Sequence, residues 1–150
     1  MAKRLSADVD IDATPEQVWE VLTDLAAYPA WNPFILRAEG VVELGRRLTV
    51  TMQPVGGRAT TLRPRLVEVD VPRQLRWRGT SGMPGLMDAE HVFTLEPRGS
   101  GTRLVQQEDF RGVLVPFLAA WLDRSTLPAF VAMNEALKSR AEHAAPNIRG

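Results

Sequence analysis

The sequence predicts an α+β protein: seven strands in an antiparallel sheet, two short helices after the first strand, and one long C-terminal helix covering the sheet. Three observations carry this reading. Leu5, Ala7, Val9 and Ile11 alternate with Ser6, Asp8, Asp10 and Asp12, the period of a half-buried strand. Between residues 34 and 112, glycines and prolines cut the chain into six strand-like segments, and strands that follow one another through short turns pair antiparallel. From residue 115 to 143 apolar residues recur at helical spacing.

After the first strand, Thr14-Pro15-Glu16-Gln17 reads as a helix start. Thr14 is a good N-cap, Pro15 suits the first helical position, and Gln17 completes a capping box. The helix that follows buries Val18, Trp19, Val21 and Leu22. Residues 24–30 read as a second short helix or turn, held by Leu25 and Tyr28 and stopped near Pro29. Trp31-Asn32-Pro33 returns to extended chain, because the residue before a proline avoids the helical region.

The strands that follow are read at 34–40, 47–54, 60–71, around Leu75 and Trp77, at 87–96 and at 102–112. Gly56-Gly57 is a hairpin signal. The long 60–71 segment slips phase at Leu66-Val67, which predicts a bulge. Val71-Pro72-Arg73 is a turn, and 79–85 is a loop with three glycines and a proline.

On the last helix Leu118, Trp121, Leu122, Ser125, Ala129, Met133, Ala136 and Leu137 share one face, while Asp123, Arg124, Asn134, Glu135 and Lys138 fall elsewhere. Pro128 lacks an amide donor and crowds the carbonyl four residues earlier, which predicts a kink or break near residues 125–128. Bulky Trp121, Leu122 and Met133 alternate with small Ser125, Ala129 and Ala136. A stripe with such gaps packs on a sheet or leaves room for a ligand.

A chain of 150 residues can bury a core as one domain, 1–150, with loose ends at about 1–3 and 145–150. Lys+Arg and Asp+Glu number 18 each, so no net field draws nucleic acid or an anionic membrane. There is no cysteine, which excludes thiol nucleophiles and thiolate metal sites and fits a reducing compartment. Neither a signal peptide nor a membrane-length apolar run is read, so a cytoplasmic location without stable membrane insertion is expected. His91 and His143 lie far apart and no metal-ligand spacing exists. Ser81-Gly82 and Ser100-Gly101 read as turns, and no glycine cluster opens a helix as a phosphate loop would, so no cofactor is expected. Arg58, Arg63, Arg65, Arg73, Arg76 and Arg78 form a basic band, read as a solvated outer face paired with Glu68, Glu90 and Glu96.

Residues 11–19 (IDATPEQVW), 28–33 (YPAWNP), 101–104 (GTRL) and 130–142 (FVAMNEALKSRAE) carry a resemblance to a known family. The chain resembles the polyketide cyclase/dehydratase-like branch of the START-like, Bet v 1-like helix-grip superfamily (SRPBCC). The resemblance implies a curved seven-stranded antiparallel sheet wrapped around the C-terminal helix, with a cavity between them. It implies little about activity, because the fold hosts lipid carriers, hormone binders, aromatase/cyclases and chaperone regulators.

Strand parity then selects the side chains that would face such a cavity. Gln106 and Glu108 share a face with Leu104 and Phe110, His91 with Phe93 and Leu95, Trp77 with Leu75, and Met52 with Val50. Trp121, Leu122, Ser125 and Met133 would close the space from the helix. The resemblance sets Trp31 and Asn32, in segment 24–33, at the mouth together with loop 79–85. An apolar pocket with a few polar groups is a small-molecule site. The expected partner is therefore a hydrophobic or aromatic small molecule, lipid- or polyketide-like. A polyketide cyclase or dehydratase using the same cavity would need an acid or base as well, for which His91 and Glu108 are the internal candidates, with Gln106 and Asn32 orienting. A third reading is a protein-interaction module of the chaperone-regulator type, with a collapsed pocket and a working surface patch.

Overall fold

The computed structural model describes residues 2–144 of the chain. In order these are β1 (Ala2–Ile11), α1 (Pro15–Thr23), a 3-10 turn (Leu25–Ala27), α2 (Tyr28–Trp31), β2 (Ile35–Glu39), β3 (Thr49–Met52), β4 (Thr60–Leu62), β5 (Arg65–Asp70), β6 (Gln74–Ser81), β7 (Met87–Arg98), β8 (Gly101–Arg111) and α3 (Val115–Ala144). The result is an α+β architecture in which a long C-terminal helix packs on a curved antiparallel sheet.

Eight strands replace the predicted seven, and they form two sheets, β1-β8-β7-β6-β5 and β2-β3-β4. The cause is Pro64. Without an amide donor it cannot sit inside a ladder, so the 60–71 segment divides around Arg63-Pro64. Its first part pairs with β3 and its second with β6. An isolated bridge between Arg47 and Arg65, and the bonds Leu48 N–H to Pro64 O (2.9 Å) and Leu66 N–H to Arg46 O (2.8 Å), tie the two sheets together. The phase slip at Leu66-Val67 is a register shift in the β5–β6 pairing between Leu66 and Glu68.

The capping box forms as read: Gln17 N–H donates to Thr14 Oγ1 (3.2 Å) and Thr14 N–H to Gln17 Oε1 (2.8 Å). β1 starts at Ala2, so residues 2 and 3, expected at a loose end, pair with Arg111 and Phe110. Met1 and residues 145–150 lie outside the described residues. Helix α3 runs unbroken through Pro128, so of the expected kink or break the break does not form. Pro128 and Arg124 both lie on the exposed side, so the carbonyl that the proline leaves without a donor can bond water. At the far end Glu142 Oε2 accepts the Asp12 amide (2.8 Å), and Lys138 Nζ donates to Asp10 O (2.9 Å) and Glu142 (2.5 Å). The end of β1 and the end of α3 are thereby fastened together.

Gly112, between β8 and α3, must be glycine. Its φ is 134°, and a Cβ there would stand 2.3 Å from Leu86 O. This close approach lets Val113 N–H and Leu114 N–H bond Gly85 O and Leu86 O, pinning the start of α3 to the β6–β7 loop. No described helix is long and apolar enough to cross a membrane.

Candidate functional site

The inner face of the larger sheet is a set of cross-strand rows. Leu66, Trp77, His91, Glu108 and Leu5 stand opposite one another across β5, β6, β7, β8 and β1. Leu75, Phe93, Gln106 and Ala7 form the neighbouring row. The face these residues share follows from the period of two, and the register brings His91 beside both Glu108 and Gln106.

His91 is fully buried in an aromatic cage. Ring centroids lie 4.7 Å away for Phe93, 5.1 Å for Phe130, 5.3 Å for Trp77 and 6.5 Å for Phe34. Within the cage its Nε2 is 2.9 Å from Gln106 Oε1, and Gln106 Nε2 donates to Asn134 Oδ1 on α3 at 2.8 Å. With the glutamine oxygen facing it, Nε2 carries the proton. Nδ1 is 3.4 Å from Glu108 Oε2, near enough for an ion pair but outside hydrogen-bond geometry. The chain Glu108–His91–Gln106–Asn134 thus crosses from sheet to helix through the apolar core.

Among the described residues, two amide donors in this interior have no partner: Asn134 Nδ2 and Asn32 Nδ2. Asn32 Oδ1 accepts the amides of Phe34 (3.0 Å) and Ile35 (2.9 Å), fixing the turn into β2. Buried donors without acceptors cost stability. Tyr28 differs: burial, then the nearby Asp24 charge, pushes its phenol far above the ordinary range. Its hydroxyl donates to Leu22 O at 2.5 Å, so it remains a neutral donor.

Of the residues selected by parity, Met52, Trp77, His91, Phe93, Gln106 and Glu108 are all buried on the inner side, and Leu122, Ser125 and Met133 are buried on α3. Ser125 spends its hydroxyl on Trp121 O (2.7 Å), a bond within the helix. Trp121 departs from expectation. It is 38% exposed, with Cζ2 close to Gly57, so it lies against the β3–β4 hairpin instead of closing the interior. Trp31 is half-buried, its ring 5.2 Å from Tyr28. The aromatic cage occupies the face where the cavity is expected, and the concavities of about 900, 700 and 420 Å³ are lined by other residues.

Asn134, expected off the apolar face of the last helix, is 1% exposed. Its signal was present. Phe130 and Ala141, off the expected stripe, are buried with Leu137 at helical spacing around it and widen the apolar face. Phe34 and Phe130, the other two cage walls, were likewise not selected.

A curved antiparallel sheet closed by a long C-terminal helix defines the helix-grip, Bet v 1-like fold. The chain belongs to the family described as polyketide cyclase/dehydrase and lipid transport, whose profile matches residues 2–142. Among solved structures it is similar to the Zhui aromatase/cyclase of Streptomyces sp. R1128, at 22% identity over 95% of this chain and 94% of that one, with a TM-score of 0.72. Norcoclaurine synthase of Thalictrum flavum aligns at 14% identity over 96% of each chain, TM-score 0.74. The di-domain aromatase/cyclase StfQ of the steffimycin pathway aligns at 14% identity over 97% of this chain, TM-score 0.76; the chain spans 53% of that protein. At these identities the likeness is one of fold. No curated protein matches the sequence.

Proposed function

We propose that the protein binds a hydrophobic or aromatic small molecule, lipid- or polyketide-like, between α3 and the inner face of the sheet. The observation that carries this reading is the buried Glu108–His91–Gln106–Asn134 chain with its unpartnered Asn134 donor, set among Phe34, Trp77, Phe93 and Phe130. Apolar walls with a few convergent polar groups suit an apolar ligand bearing one or two oxygens. Such a ligand enters by displacing cage side chains and supplies the acceptor that Asn134 Nδ2 lacks. Met52, Leu122 and Met133 form the apolar surround, and Trp31 and Asn32 stand by the entrance. Trp121 is not assigned a contact inside the site.

One observation favours a second reading, in which the same interior cyclises or dehydrates a polyketide-like substrate. Nδ1 of His91 and the Glu108 carboxylate stand 3.4 Å apart, a spacing at which the two can share a proton with a substrate or a water. Mass spectrometry under native conditions tests the first reading directly. A co-purified apolar compound, lost from the Asn134→Leu variant, is expected. A protein that neither carries such a compound nor takes up an apolar dye overturns the proposal. Turnover of a carrier-bound or free polyketone, lost in Glu108→Gln with binding retained, would select the enzyme.

A further inference from the structure

Exposed apolar surface on this protein is not scattered. Seven of the ten large apolar side chains exposed among the described residues sit on α3, on the two residues before it or on the two loops fastened to it, and a concentration of that kind marks an interaction surface. Val113, Leu114 and Phe117 stand at the start of the helix, with Phe117 83% exposed. Met83 belongs to the β6–β7 loop, whose Gly85 and Leu86 carbonyls accept the amides of Val113 and Leu114. Val55 belongs to the β3–β4 hairpin, which meets Trp121 at Gly57 and α3 through the bond from Val55 N–H to Ser125 O (2.9 Å).

The outer face of α3 extends this patch. Phe117, Trp121, Arg124, Pro128 and Val131 follow one another at steps of three and four, and all five are exposed. The line runs for about 20 Å before Glu135 ends it. A helix face turned to water carries charged and polar residues, yet from residue 113 to 122 this chain has no charged side chain.

The charges around the patch leave one sign over. Arg58, Arg111 and Arg124 are exposed, and among the described residues none of them is in an ion pair. Asp123 is held by Lys3 (2.9 Å), and Asp88 accepts the Thr80 hydroxyl (2.6 Å) and the Gly85 amide (3.1 Å). Arg111 adds only its field at Asp109, which Arg4 pairs (2.7 Å). A second copy of the chain would set the same arginines like against like. A bilayer with anionic headgroups meets both features. Its interface takes Trp, Phe and Leu, and its surface potential attracts Arg.

We propose that the start and outer face of α3, with the two flanking loops, dock reversibly on an anionic lipid surface. Phe117 and Trp121 enter the headgroup layer, and Arg58, Arg111 and Arg124 stay at the phosphates. The formal net charge of the chain is zero, so the attraction is local to this face. The patch lies on the side of α3 away from the aromatic cage, and docking is independent of what the interior binds.

Co-sedimentation of the full chain with phosphatidylcholine vesicles, made with and without phosphatidylglycerol, tests the docking. Saturable binding is expected, tighter by about tenfold or more with phosphatidylglycerol and weakening as salt is raised. Phe117→Glu should reduce it about tenfold or more through lost apolar burial, and Arg111→Gln or Arg124→Gln by about fivefold each. All three side chains are exposed, so these variants should melt as wild type does. Leu44→Ser, which changes an exposed residue before β3 and so at its other end from the hairpin, should leave binding unchanged. So should Asn134→Leu, which separates docking from uptake of lipid into the interior. Brominated lipid should quench tryptophan emission, and the quenching should be largely lost in Trp121→Phe, since Trp19 and Trp77 are buried and Trp31 is half-buried. Absence of saturable binding to the anionic vesicles, equal affinity for the neutral ones, or unchanged affinity in Phe117→Glu overturns the proposal. A dimer of the protein alone that Phe117→Glu dissociates, without vesicle binding, assigns the patch to a second copy and overturns it as well.

Discussion

Gln106 on β8 and Asn134 on α3 share a buried 2.8 Å hydrogen bond, which joins the last helix to the sheet through the middle of an apolar core. The bond fixes helix rotation, because Asn134 reaches Gln106 only when Phe130, Met133 and Leu137 also face inward. Asn134→Leu removes the acceptor and strands the Gln106 amide. A loss of about 1–3 kcal/mol is expected from an unsatisfied buried donor, read as a lowered urea midpoint with an unchanged slope. Apolar-ligand affinity should fall in the same variant.

His91→Phe keeps an aromatic ring inside the cage and removes both nitrogens. It leaves Gln106 Oε1 without its 2.9 Å partner and Glu108 without its neighbour at 3.4 Å. A cost of about 1–3 kcal/mol is expected from the stranded polar groups, with little lost from packing. His91→Ala should cost more, because an emptied aromatic cage adds a cavity to the loss. Denaturant unfolding separates the two: His91→Phe as stable as wild type would mean that the nitrogens contribute nothing, and His91→Ala as stable as His91→Phe that the ring's volume contributes nothing further.

Much of the fold was legible because it rests on local rules. The capping box at Thr14 and Gln17, the bulge after Leu66 and the alternation of β8 each follow from a few adjacent residues. Parity also placed His91, Glu108, Gln106, Trp77 and Phe93 on one face, since a period of two leaves no other choice within a regular strand. What failed depended on contacts remote in sequence. Pro64 divided one strand into two because β3 and β6 compete for the segment around it. Trp121 lies on the edge of the helical stripe, and only the β3–β4 hairpin decides that it packs outside. Asn134 was set aside for its polarity, although a buried amide becomes acceptable once a glutamine stands opposite. The cage was invisible, because Phe34 and Phe130 reach it from β2's approach and α3, segments that no sequence period relates.

Ala129 is 2% exposed and faces the sheet from α3, beside Phe130 and Ser125. Ala129→Phe would push a phenyl ring into this buried, close-packed position. Overpacking should cost about 1–3 kcal/mol and should abolish uptake of an apolar dye by the folded fraction. Dye uptake unchanged from wild type would place the ligand away from this stretch of α3.

The last prediction concerns acid. Glu142 accepts the Asp12 amide first and then Lys138, and these bonds hold its carboxyl below the ordinary value of 4.5. A carboxyl depressed in the folded state contributes stability that is fully present above its unfolded pKa and disappears as pH falls through its folded one. The unfolded chain binds the proton first, so the loss begins near pH 4.5 and is complete only below the depressed folded value. Glu142→Gln keeps an oxygen for the Asp12 amide but carries no charge. It should lower the melting temperature at neutral pH, and the gap between variant and wild type should close as the buffer is taken below that range. Lys138→Met should reproduce part of the effect, since Lys138 joins Glu142 to Asp10 O. A gap that stays constant from neutral to acid pH would mean that the fastening of β1 to α3 does not depend on the carboxylate charge. Burial raises the Glu90 carboxyl, but Arg76 and Arg78 together hold it below its ordinary value, and Arg4 does the same for Asp109; both groups are common to variant and wild type and are expected to cancel from the difference.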